Sequence, residues 1–217
     1  MKRVLLFLLI LSLLSGVFSC KEKNRSYDEE EVLSAARDLL PKAQTLDRIY
    51  YGEGLRWNPD ESGANGSYYP ADENDLAKYG FSTVDELKKF TRGVFSEGYS
   101  SLIFNTKLSS VADEDGIHEM ARYYQKTENG EPVSIMVYTR ATVIFTSSLV
   151  FDMKSMAVEG SVGQKVYVTL PVYVTDESGE HTQTRTLRFP LFEEQDGWRI
   201  DGATFINYYE NQDGPKK

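Results

Sequence analysis

VYVTLPVYV at positions 166–174 decides the fold. Val166, Val168, Leu170, Val172 and Val174 alternate with Tyr167, Thr169, Pro171 and Tyr173. Every second side chain therefore points to one face, and the run is rich in β-branched residues, which marks a half-buried strand. Leu187, Phe189 and Leu191 repeat the period, and Trp198 and Ile200 close the series. Asp176-Glu177-Ser178-Gly179 and Gln195-Asp196-Gly197 supply the turns between them. Such strands are antiparallel, with one face in the core and the other toward water or a partner. Pro171 and Pro190 each lack an amide donor and predict an edge, a bulge or a bend.

Upstream, the pattern reads as strand back to about Glu119. Ser148 to Val158 is the preceding strand, and Tyr123 to Tyr138 is a hairpin turning at Glu128-Asn129-Gly130. Asp113-Glu114-Asp115-Gly116 is a turn. Before that the period becomes helical. From Glu29 to about Tyr51, the residues Val32, Leu33, Ala36, Leu39, Leu40, Ala43 and Ile49 share one face. Acids at 28–31 suit the positive end of the helix dipole, and Pro41 predicts a kink or a restart. Thr83 and Glu86 have capping-box spacing and open a second helix, and a third short one runs from Tyr99 to about Asn105. Tyr51 to Phe81 is the least regular stretch, and a loop of that length is functional or poorly ordered. Helices first and strands afterwards give an α+β fold, with N-terminal helices packed on a curved antiparallel sheet.

The N-terminus carries a different signal. Lys2 and Arg3 precede an apolar run from Val4 to Leu14, and the chain's single cysteine, Cys20, follows Val17-Phe18-Ser19. Charge, a short hydrophobic run and small residues are the layout of a secretory leader. A cysteine at its end resembles the lipobox of bacterial lipoproteins, in which the thiol is acylated and the leader is cut before it. Residues 1–19 are then the leader, 20–28 the lipidated Cys20 and a tether, 29–211 the domain, and 212–217 a disordered tail. The resemblance implies an extracytoplasmic body anchored through Cys20, held by two or three acyl chains because one binds only marginally. The other readings of this segment are an ordinary leader with an incidental cysteine and an uncleaved anchor. With no second cysteine, the mature body contains no internal disulfide.

The chain has 24 basic and 33 acidic residues, and the loss of Lys2 and Arg3 takes its net charge from −9 to −11. An acidic body repels phosphate backbones, which argues against nucleic acid as a partner. Chemistry-bearing clusters are scarce. His118 and His181 read as solvated turn residues, and no spacing of histidine, cysteine and acid suggests a metal site. No phosphate loop, nucleophile elbow or dinucleotide fingerprint occurs. No catalytic residue, cofactor or metal is therefore expected. The nearest enzymatic option places Asp152 and Glu159 on strands near Tyr138 and Arg140, inside a desolvated cone.

Aromatics are the stronger signal. Tyr50, Tyr51, Trp57, Tyr68 and Tyr69 crowd a glycine-rich segment beside the sheet. Rigid flat side chains there suit protein or glycan contact. The alternative is a satellite core beneath the loop. Arg122, Tyr123 and Tyr124 add a polar and aromatic patch on the first long strand, with one tyrosine packing inward.

The closing strands, from VYVTLPVYV through Gly197-Trp198-Arg199-Ile200-Asp201, resemble the last strands of cystatin-like and NTF2-like domains. A narrower resemblance spans roughly residues 30–205. The order IYYGEGL at 49–55, YYP at 68–70, FSTVDELK at 81–88 and VFS at 94–96 is similar to the IseA-type inhibitors of cell-wall DL-endopeptidases. That resemblance implies a cystatin-like module and, as partner, the catalytic domain of a cell-wall hydrolase. It maps no inhibitory residue onto this chain. An NTF2-like pocket for a small molecule or lipid, with or without a degenerate active site, is the second reading. A structural envelope subunit is the third. A closed cone between helix and sheet favours the pocket, and a filled interior favours a surface-binding module.

Overall fold

The computed structural model describes residues 26–60, 67–108, 112–113, 116–117, 121–144, 147–176 and 178–202. The expected leader at 1–19, Cys20, His118 and the expected tail at 212–217 lie outside the described residues. The chain is α+β, with its helices N-terminal to a curled antiparallel sheet.

Helix α1 spans Glu29–Tyr51. Asp28 caps it, its Oδ1 accepting from the amides of Glu30 at 2.9 Å and Glu31 at 3.2 Å. The helix continues through the exposed Pro41 with no restart. Its apolar stripe, including Ala36, Leu40, Ala43 and Leu46, is fully buried. Tyr27, within the expected tether, already packs against the core.

After α1 come strand β1 (Tyr68–Pro70) and helices α2 (Glu73–Tyr79), α3 (Val84–Arg92) and α4 (Glu97–Lys107). The capping box at the start of α3 forms as the spacing predicts. Helix α4 begins two residues earlier than predicted, because Ser96 supplies its cap by accepting from the Tyr99 amide. β1 and α2 lie within the stretch read as irregular. Seven residues of helix and three of strand are too short to leave a periodic signature.

A two-residue pair, β2 (Ala112–Asp113) and β3 (Gly116–Ile117), is followed by the hairpin of β4 (Tyr123–Glu128) and β5 (Glu131–Tyr138). Asn129 and Gly130 form its turn with φ of 53° and 84°, the pair of positive values that a two-residue hairpin with the right twist requires. β1 joins the other side of β5, so the order is β1-β5-β4.

The larger sheet contains β6 (Ser147–Phe151), β7 (Ala157–Val162), β8 (Lys165–Asp176), β9 (His181–Glu194) and β10 (Gly197–Ile200). Its order is β10-β9-β8-β6, with β7 also pairing to β8. The single strand predicted over 148–158 is in fact two. β6 covers residues 172–176 of β8, β7 covers 165–169, and a 3-10 turn at Met153–Ser155 separates them. Pro171 explains the break. Its carbonyl accepts from the Asp152 amide at 3.0 Å, so its missing N–H faces the same side, where no regular ladder could use it. Pro190 likewise lies beyond the last β9–β10 pair, Ile200↔Leu191. The outer edge of β10 is bonded by the α3–α4 corner, through Ser96 N–H to Ile200 O and Ile200 N–H to Val94 O, each 2.9 Å.

One main core joins the α1 stripe, the inner faces of β8 and β9, and the inner face of the small sheet through Tyr123, Ile135 and Val137. Val168, Phe189 and Leu191 are fully buried beneath α1's contacts with β7, β8 and β10. Among the described residues, side chains from both layers meet in this one cluster and fill the space between helix and sheet.

Candidate functional site

The aromatic candidates separate into two groups by burial. Tyr50 and Tyr123 are fully buried, and Tyr68 and Arg122 are nearly so. These four are framework and do not present themselves to a partner. Tyr50 sits in the α1 stripe with its hydroxyl 2.8 Å from Thr91 Oγ1, and burial drives its pKa well above the ordinary tyrosine value. Tyr123 O–H donates to Ile49 O at 2.7 Å and accepts from Leu55 N–H at 3.0 Å and Arg122 Nε at 3.1 Å. The Arg122 guanidinium also donates to Ala141 O at 2.7 Å and to Gly52 O. The two residues thus close the C-terminal end of α1, where a cation offsets the partial negative charge of terminal carbonyls.

Tyr51, Trp57 and Tyr69 are half-buried. Tyr51 lies under the Lys107 ammonium, 4.6 Å from ring centre, and burial raises its pKa. Trp57 bridges to Ala71 and leans on the main core. Tyr69 pairs with Val137 and so faces the core side of the small sheet. These seven residues form no continuous docking surface. The enzymatic option also comes apart. Asp152 is exposed and holds the 3-10 turn, accepting from Ser155 Oγ at 2.6 Å, while Glu159 pairs with Arg188 at 2.5 Å. Tyr138 is buried in the other sheet. His181 is exposed, its ring 5.6 Å from that of Tyr173.

A concave site forms on the opposite face of the small sheet. The register lays side chains there in rows: Tyr68 beside Tyr138, then Pro70, Met136 and Tyr124, then Ser134 and Lys126. Tyr68 anchors the first row, donating to Ala121 O at 2.7 Å, with its ring 5.0 Å from both Tyr124 and Tyr138. Between the pairs Lys126↔Ser134 and Thr127↔Pro132 the register shifts. Val133 is the extra residue of that bulge, and it lines the groove with 52% of its surface exposed. Bulges re-aim side chains in this way beside functional surfaces.

Helix α2 and the start of α3 form the walls of this open groove, whose volume is about 1020 Å³. Asp75, buried within α2, fixes the first wall by accepting from Arg56 N–H at 2.9 Å and Arg56 Nε at 3.3 Å. Asp72 caps α2, and Glu73 is exposed and engages none of the described residues. On the second wall, Glu86 accepts from Ser82 N–H at 2.7 Å and Ser82 Oγ at 2.9 Å, bonds that hold its carboxyl below the usual range. Lys126, the cation on the floor, is 3.0 Å from Glu128. Burial raises the Tyr124 pKa above the ordinary tyrosine value.

No family model matches this chain, and no curated protein does. The functional reading accordingly rests on the groove. The sequence held one sign of it: Tyr124 alternates with the inward Tyr123. Val133 and α2 gave none, because a bulge and a two-turn helix have no periodic signature.

Proposed function

We propose that this chain is a lipid-anchored, extracytoplasmic binding protein of the bacterial envelope, that it works without catalysis, and that its partner is a cell-wall hydrolase. The observation that carries the reading is the groove, where Val133, Met136 and Tyr124 form an apolar patch on a floor shared with Ser134 and Lys126, beneath the carboxylates of Asp72, Glu73 and Glu86. An apolar centre with charged margins is the general anatomy of a protein-binding surface. Acidic walls on an acidic body favour a partner with a basic rim and speed its encounter. The sequence resemblance to cystatin-like hydrolase inhibitors points the same way. The filled interface between α1 and the large sheet supports a surface-binding module over a small-molecule or lipid cone.

The test is capture from a cell-wall extract by the purified mature body, followed by a peptidoglycan-hydrolysis assay with the captured enzyme. Recovery of a hydrolase whose rate falls as the protein is added is the expected result. Extracts that yield no hydrolase, together with unchanged lytic rates, would refute the reading.

A further inference from the structure

We infer that the groove between α2 and the outer face of β1-β5-β4 seats an extended peptide segment carrying a lysine or arginine between apolar side chains. The inference deepens the binding reading by specifying the chemistry of what is bound. Three observations select that chemistry.

Size comes first. A groove of about 1020 Å³ lies at the upper end of the range for small-molecule pockets, and it is open to solvent, with a lining that reaches from Asn58 and α2 across β5 to Lys126 on β4. A linear segment several residues long fits such a shape better than a compact ligand does. Second is the floor. Val133, lifted outward by the bulge, offers aliphatic surface beside Met136, and Tyr124 is fixed edge-on to Tyr68. Apolar side chains of a segment would cover Val133, which solvent now touches.

Third is charge. Asp72, Glu73 and Glu86 all line the trough, whereas Lys126 is engaged by Glu128 at its rim. Asp72 and Glu86 each commit one oxygen to helix capping, and among the described residues nothing engages the Glu73 carboxylate. Such walls repel anionic ligands and attract a cationic side chain lying across the floor. Neutral glycans could stack on Tyr124, but they would leave Val133 and the carboxylates without complements.

The experiment uses the mature body and the peptide acetyl-VLKVL-amide, with acetyl-VLEVL-amide and chitotetraose as comparison probes. Amide NMR shifts locate binding, and titration gives affinity. The lysine peptide is expected to shift amides within 72–77, 124–126 and 133–136. Replacing its lysine by glutamate, or introducing Glu73→Lys, should weaken it by about fivefold or more, and Val133→Asn, which removes aliphatic surface without adding charge, should do the same. Both substitutions are at exposed positions, and circular dichroism checks that the fold is kept. No shift in those segments, equal binding of the glutamate peptide, or tighter binding of chitotetraose there would each overturn the inference.

The two readings fail separately. A hydrolase captured equally well by Glu73→Lys and Val133→Asn removes the groove and leaves the partner standing. Selective peptide binding without hydrolase capture removes the partner and leaves the groove.

Discussion

A single phenol holds the end of α1. The Tyr123 hydroxyl has three partners, namely Ile49 O, Leu55 N–H and Arg122 Nε, and its ring is fully buried. Tyr123→Phe keeps the ring but leaves the Leu55 amide and the Ile49 carbonyl without that oxygen. Stranding buried polar groups costs about 1–3 kcal/mol each. The variant should unfold at lower urea with an unchanged slope, because the exposed area on unfolding is the same. A midpoint equal to that of the parent would show the hydroxyl to be dispensable. Gly54 reports on the same knot. It has φ of 79°, and an added Cβ would lie 2.5 Å from Arg122 Nη2 and 2.8 Å from Tyr123 Oη. The types of these residues were legible in the sequence, but their roles were not. An arginine next to a tyrosine reads as a polar surface patch until the fold shows three distant carbonyls converging on the pair.

At the scale of elements, a carboxylate ties α4 to two strands. Asp201, just past β10, accepts from Ser96 Oγ, the cap of α4, and from Lys165 Nζ of β8 at 2.5 Å. Burial pushes the Asp201 carboxyl up, but the bonds from Lys165 and Ser96 outweigh it and leave it below its ordinary 3.8. A depressed carboxyl contributes stability that is present above its unfolded pKa and is lost as pH falls through the folded one. Lys165 is raised above 10.5, chiefly by the bond to Asp201, so its contribution is lost as pH rises beyond that value. Asp201→Asn should therefore lower the melting temperature across the neutral range and flatten its decline below about pH 4. Parallel melting curves for parent and variant between pH 3 and 6 would exclude this linkage. The elements themselves were largely legible. Long periodic runs such as 166–174 and 29–51 revealed themselves, because each face is uniformly apolar. The division of β6 from β7 was not, since it depends on Pro171 in the neighbouring strand.

For the whole molecule, the decisive contrast is between a filled interior and a cone. Ala36 and Ala43 are fully buried on the α1 stripe that faces the sheet, in one cluster with Leu170, Phe189 and Leu191. Ala43→Leu adds three carbons where a packed core leaves no room, which costs about 1–3 kcal/mol through forced side-chain shifts. Denaturation should show that loss. An unchanged or increased stability would mean that the side chain had entered open space, and the pocket reading would regain its footing. The proposed anchor makes the last demand on the molecule as a whole. Six residues lead from Cys20 to Ser26, a reach of at most about 20 Å, so an acylated Cys20 would confine the body to a thin layer beside the bilayer. Confinement raises the effective concentration toward a membrane-proximal partner, and a groove of modest intrinsic affinity then suffices. The intact parent protein should begin at Cys20 and carry the acyl mass, and Cys20→Ser should lose both that mass and the cut before residue 20. A membrane-bound parent that has no acyl mass and retains residues 1–19 would instead identify the apolar run from Val4 to Leu14 as an uncleaved anchor.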